Sequence, residues 1–266
     1  MRRLFSVGVL LPAITAFMSL VLIVGCSAWA VSAARRLAIA DQTEFTTGVS
    51  ADLFVAMQQL RLERGGVSVA LAGREPLPAT SWAYARSWRE TAGHAVDSAL
   101  RKLSRPGAGL APGELDAQIA QIRARQAAVE KLRREAYAAV RDPKGPRREA
   151  LRHDWIVAET ELVQSLHDLS HRLTSRTAPS DPFITSMFLV RHAVWTTRDA
   201  AGDDLLLLGE AVAEGRKLTL DERARFATLE GRVEAGWSPV EEQVSGAGVP
   251  PRLRQAAVTA ETYYRT

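Results

Sequence analysis

A single cysteine, Cys26, is the only thiol in this 266-residue chain. An internal disulfide framework and any multi-cysteine zinc or iron–sulfur site are therefore excluded. Aromatic residues make up only 6%, which argues against a large aromatic β-sandwich core. No segment alternates apolar and polar residues with a period of two, so strands are not expected. A nucleophile elbow, a P-loop, a dinucleotide fingerprint and a zinc-protease helix motif are all missing, so neither an enzyme nor a cofactor is expected. Charge of one sign is also lacking. Thirty-four basic residues stand against thirty acidic ones, interleaved rather than striped, for a net charge of +4. The pI of about 9.6 thus does not indicate nucleic acid as a partner.

What is present is an ordinary folded composition, 47% hydrophobic and 24% charged, unevenly distributed. From Leu4 to Ala34 there is no charged residue, and arginines flank this run at Arg2-Arg3 and Arg35-Arg36. The run exceeds the roughly 20 residues that span a bilayer core. An uncleaved transmembrane helix over residues 1–40 is the leading expectation, with the lipid bilayer as its partner. Two rivals stay open: a lipoprotein signal ending at Ile23-Val24-Gly25-Cys26, and a cleaved secretory signal with Ala28-Trp29-Ala30 as its small-residue site. Cys26 also reads as a plain thiol in a lipid-facing or core helix. In each case the remainder lies outside the cytoplasm, although paired arginines at both ends leave the positive-inside rule little to discriminate.

Beyond Ala40, proline and glycine cluster at 73–78, 106–113, 142–146, 179–182, 215 and 246–251. Between the clusters lie segments rich in Ala, Leu, Arg and Glu, all good helix formers. Each carries an apolar stripe in steps of three and four: Leu53, Met57, Leu60, Val67 and Leu71; Ala85 through Leu103; Leu115 through Val140; Leu151, Trp155, Leu162, Leu169 and Leu173; Val190, Val194, Ala201, Leu205 and Leu208; Leu229, Val233, Trp237, Val240 and Val244. Asp181-Pro182 reads as an N-cap with proline in the first turn, and Thr219 with Glu222 as a capping box. Short loops between long helices imply antiparallel neighbours. The expected fold is all-α: the anchor helix continuing into up-and-down bundles, with one module over 41–176 and a second over 177–266.

Two stretches look alike. Leu60-Arg61-Leu62-Glu63-Arg64-Gly65-Gly66 precedes an apolar turn and Gly73-Arg74; Val194 to Gly202 precedes Leu205–Leu208 and Gly215-Arg216. The segment Gln58–Leu71, QQLRLERGGVSVAL, resembles the first long helix of the extracytoplasmic sensing region of bacterial transmembrane receptors, among them methyl-accepting chemotaxis proteins. The segment Val190–Leu208 is similar to a recurring helix in the second half of such regions. The nitrate- and nitrite-sensing type, built of two four-helix modules, is the named relative. The resemblance implies an inner-membrane protein with a periplasmic helical body, a homodimer, and signal transduction. Such receptors continue into a second apolar span and an output module, and none lies before Thr266. The chain therefore reads as the front portion of a receptor.

The residues themselves indicate a site. The stripe Leu53, Met57, Leu60 lands next on Arg64, and an unpaired guanidinium on an apolar face is very costly. Its five donors suit a planar anion. Arg61 lies one turn earlier; Arg191 and Arg198 are a heptad apart with Trp195 between them. Arg61, Arg64, Arg191, Trp195 and Arg198 are the candidate small-anion site, and the resemblance implies anion binding at Arg64 and Arg198. The competing expectation is ordinary ion pairing: residues such as Glu63, next to Arg64, and Asp199, next to Arg198, pair across helices and leave no vacancy for a ligand. His167 and His171 share a helix face with Asp168 nearby, but nothing in the sequence completes a metal site and none is expected. The basic run Lys144, Arg147, Arg148 and Arg152 reads as a solvated loop, or as a contact with lipid headgroups. The rival function is an anchored helical scaffold that binds proteins and no small molecule.

Overall fold

The computed structural model describes residues 7–73, 77–104, 113–141, 148–177, 182–246 and 248–265. These residues form helices and no strand: α1 (Val7–Ala72), α2 (Ala79–Leu103), α3 (Asp116–Arg141), α4 (Arg148–Thr177), α5 (Pro182–Ala213), α6 (Leu220–Ser245) and α7 (Pro251–Arg265). The expected all-α class is what the chain adopts. It divides into two units, Met1–Phe45 and Thr46–Thr266.

The first unit is the apolar part of α1. Its side chains from Leu11 through Ile39 are exposed, among them Phe17, Leu22 and Trp29. The helix is long and apolar enough to cross a membrane, with a mean hydropathy of 2.1 over its best 18 residues. Cys26 is a free, exposed thiol on this helix.

In the second unit, helix directions follow from which residues meet. Asp52 of α1 meets Lys102 of α2 at 2.7 Å, and Gly66 of α1 faces Trp88 of α2, so the two run antiparallel. Arg89 with Glu130 and the Ala85 carbonyl with Tyr137 set α2 against α3 in the same way. Arg125 meets Ser165, and Arg133 meets Glu159, so α3 and α4 are antiparallel too. Ser50 beside Ser170 and Arg64 beside Thr160 close α4 back onto α1. Residues 46–177 thus go up, down, up and down, as short loops require. Along α1, α5 runs parallel: Arg61 meets Asp203, and Ser68 donates to Glu210. Against α4, α5 runs antiparallel, through Arg191 with Ser170 and Arg152 with Glu210. On its other side α5 carries α6, joined by Val190, Ala193, Val240 and Val244, with Ala257 of α7 completing that cluster.

The core follows the expected stripes except on α5, where Leu205 and Leu208 are exposed and Leu207 is buried instead. Leu53, Met57, Leu60, Val67 and Leu71 are buried, as are Val96, Ile122, Val129, Trp155, Leu162, Leu169 and Val233. Each fully buried aliphatic side chain contributes about 1.5–3 kcal/mol. The α5–α6 turn is fixed by local chemistry. Gly215 takes φ +67, and the amides of Gly215 and Arg216 donate to Val212 and Ala211, a helix stop of the Schellman type. Thr219 then starts α6 with the expected capping box: its hydroxyl accepts from the Glu222 amide while Glu222 accepts from the Thr219 amide. Asp181, Lys144 and Arg147, and the side chain of Arg148, lie outside the described residues. Arg152 is not free for lipid headgroups: Glu149, Glu210 and Glu214 surround it.

Candidate functional site

Two charged layers cross the second unit side by side. In the first, Arg133 of α3 reaches between two carboxylates that have no exposed surface. Its Nε and Nη2 donate to Glu63 at 2.7 and 2.8 Å, and Nη2 lies 3.3 Å from Glu159 Oε1. Tyr137 donates its hydroxyl to Glu63 at 2.7 Å, and Glu130 takes the remaining Arg133 nitrogen. Burial works against the Arg133 charge, yet the Glu63 hydrogen bonds and the neighbouring carboxylates hold its pKa above the ordinary value. Burial, then the Glu63 charge, pushes the Glu159 carboxyl well above the usual range. Its Oε2 has no hydrogen-bond partner among the described residues. A protonated Glu159 resolves the conflict, since one guanidinium cannot neutralise two buried carboxylates as well as Glu130.

The second layer joins α1 to α5. Arg61 pairs with the carboxylate and the carbonyl of Asp199, and lies 3.4 Å from Asp203 Oδ1. Arg64 donates to the same Asp203 oxygen at 2.5 Å and to the Thr160 hydroxyl at 2.7 Å. The pKa of Arg61 falls to about 10, because burial and then the adjacent Arg64 charge disfavour the cation, with Asp203 acting against them. Such close approach requires a bare backbone on α5: a Cβ on Gly202 would lie 2.6 Å from Arg61 Nη2. Two turns further along, a Cβ on Gly209 would lie 2.9 Å from Val69.

The expected arginines therefore have different fates. Arg61 and Arg64 have carboxylate partners on α5, reached across helices. Glu63 belongs to Arg133 rather than Arg64, and Asp199 belongs to Arg61 rather than Arg198. Arg198 is half-buried and has no carboxylate or hydrogen-bond partner among the described residues, and burial lowers its pKa. Nε of Arg64 is also buried without an acceptor. Arg61, Arg64 and Arg198 line one cleft of about 1040 Å³ between α1, α2 and α5. Trp82 and Trp88 of α2 and Leu205 of α5 form its apolar walls.

Arg191 and Trp195 are drawn instead to a smaller cavity of about 230 Å³ between α4 and α5. Arg191 lies over the Phe188 ring and donates to Ser170 at 3.2 Å. Trp195 packs edge-on against Phe54, stacks on His167, and receives the Arg61 guanidinium at 5.6 Å from its ring centre. His192 lies 5.6 Å from His167 and 6.2 Å from His171, ring centre to ring centre. This third histidine was not legible from spacing. Even so, no group of three His, Cys, Asp or Glu side chains among the described residues converges as metal ligands would.

The Glu63–Arg133–Glu159 layer was also missed. Its signal was available: Glu63 follows Leu60 by three, Glu159 follows Trp155 by four, and Arg133 follows Val129 by four, each replacing an apolar residue in its stripe. Charges of opposite sign interrupting several stripes point to one buried network. Comparison of the chain with protein-family models, with curated proteins and with solved structures finds no match.

Proposed function

We propose that this protein is the membrane-anchored, extracytoplasmic ligand-binding region of a bacterial chemoreceptor-like signalling protein, and that it takes a small anion in the cleft between α1, α2 and α5. The observation that carries this reading is Arg198. A half-buried guanidinium on a cleft wall, without a counter-charge among the described residues, is what an anion site requires. Arg61 and Arg64 take Asp199 and Asp203, which leaves Arg198 the unpaired arginine of the three that line the cleft. The arginine pair sits on α1, the helix that also carries the apolar segment. Ligand binding that changes how α1 is held against α5 would bias that helix, and signalling would follow as a shift between two packings. The chemoreceptor assignment, the periplasmic side, the inner membrane and a homodimer rest on the resemblance of Gln58–Leu71 and Val190–Leu208.

The test is a thermal-shift series on the full chain in detergent against nitrate, nitrite, phosphate and acetate. A binding anion raises the unfolding midpoint by mass action, and Arg198→Ala removes the rise. No shift with any of the four, together with an unchanged response of Arg198→Ala, rejects the anion site. An alkaline phosphatase fusion after Thr266 tests the side of the membrane, being active only outside the cytoplasm. The scaffold reading draws on the aspartate partners of Arg61 and Arg64 and on the exposed Leu205 and Val212 of α5.

A further inference from the structure

The cleft is far larger than a nitrate or phosphate needs. Its volume of about 1040 Å³ falls at the upper end of the range typical for drug-sized ligands. Its arginines, Arg61, Arg64 and Arg198, stand at one end. The rest is apolar and largely aromatic. Trp82 and Trp88 are half-buried, and Tyr84 stacks on Trp88 with ring centres 6.1 Å apart. Trp82 is braced edge-on by Tyr137 at 5.0 Å and covered by the Arg141 guanidinium, so its orientation is fixed. Opposite them, α1 presents Gly65, where a Cβ would meet nothing within 4 Å, while the Trp88 ring covers Gly66, 2.9 Å from where its Cβ would lie. On α5 the wall is Leu205, 71% exposed although it faces the cleft. The one acid at the far end, Glu214, is held by Arg152 and Arg216.

We infer that the cleft is built for an aromatic monocarboxylate, its carboxylate set against Arg198 and its ring lying on Gly65 between the indoles of α2 and Leu205. This inference rests on the anion reading above and adds to it the body of the ligand. Charge favours a monoanion, because Arg198 is the one unpaired guanidinium at that end among the described residues. Shape favours an aromatic body, because Gly65 leaves the α1 side open and the rings of Trp82 and Trp88 line the cleft, where aromatic faces and edges meet favourably. Binding of this kind gains from both ends at once: a paired buried guanidinium, and apolar surface on α2 and α5 removed from water.

The test uses the full chain in lipid nanodiscs and isothermal titration with three probes: acetate for the head, indole for the body, and indole-3-acetate for both. Indole-3-acetate is expected to bind at least about tenfold more tightly than either fragment. Arg198→Gln should reduce it to the affinity of indole. Leu205→Glu, a change at an exposed position that leaves the fold intact, should reduce it to the affinity of acetate or below. If acetate binds and indole-3-acetate binds no more tightly, the inference fails while the anion site stands. If none of the three binds, the inference fails, and the anion site stands or falls on nitrate, nitrite and phosphate. If Arg198→Gln leaves indole-3-acetate binding unchanged, the head assignment is wrong and the inference falls. Sedimentation decides against a rival occupant: a dimer that Leu205→Glu dissociates and indole-3-acetate does not would assign the cleft to a second copy of the chain.

Discussion

Arg133 grips Glu63 through two parallel N–H···O bonds of 2.7 and 2.8 Å at a depth where Glu63 has no exposed surface. Removing either partner strands a charge in the bundle interior. Arg133→Met is therefore expected to cost about 3–5 kcal/mol. In a unit of this size that corresponds to a fall in unfolding midpoint of roughly 6–20 °C. Circular-dichroism melts of the detergent-solubilised chain measure it, and a loss below 1 kcal/mol would mean that the pair is not buried as described.

Glu159 gives the same layer a pH dependence of definite sign. Its folded pKa is raised, so its contribution to stability is full below the ordinary carboxylate pKa and is lost as pH rises through the folded value. Glu159→Gln keeps the shape and an acceptor for Arg133 but cannot ionise. The variant should match the parent near pH 4 and become the more stable of the two toward neutral pH. Parallel stability curves would count against a proton on Glu159.

His167 works in the opposite direction. Burial lowers its pKa first, and the charges of His192 on α5 and His171 on α4 lower it further, against Asp168 beside it. Stability is then complete above about pH 6.5, the ordinary histidine value, and declines as pH falls from there through the lower folded pKa. His167→Phe, stacked on Trp195 in its place, should flatten the decline between pH 6.5 and 5. Urea midpoints measured across that interval decide it.

The helices were legible because their stripes repeat. Val67 and Leu71, Ile122 and Val129, Leu162 and Leu169, Val233 and Val240 are buried as the steps of three and four require. The phase of α5 was not. Four leucines in a row, Leu205–Leu208, look the same from every side, and the helix turns Leu207 inward while Leu205 stays out. Asp199 and Asp203 fix that phase by reaching Arg61 and Arg64. Partners of this kind, some 140 residues apart, leave no mark in local spacing. For that reason the five candidate residues separate into two cavities, although all five lie on the facing helices α1 and α5.

Thr219 tests the local end of the scale. Its capping box satisfies two amides at the start of α6, and Arg216 further anchors Glu222, whose pKa falls to about 2 through the Arg216 and Thr219 hydrogen bonds. Thr219→Ala should cost about 1 kcal/mol. Amide exchange should rise in the first turn of α6 and nowhere else.

Gly66 tests close packing. With 2.9 Å between a new Cβ and the Trp88 ring, Gly66→Ala must displace the indole, at about 1–3 kcal/mol. Trp88→Leu in the same chain should restore much of that loss, so a double-mutant cycle reads a strong coupling between the two positions.

The glycines of α5 also govern how the molecule can move. Arg61 rests on Gly202 and Val69 on Gly209, two notches one above the other on neighbouring parallel helices. Each acts as a detent. Sliding α1 along α5 by one turn, about 5.4 Å, would carry both side chains onto same-face positions that have a Cβ. A full-turn ratchet between these helices is therefore blocked at both notches.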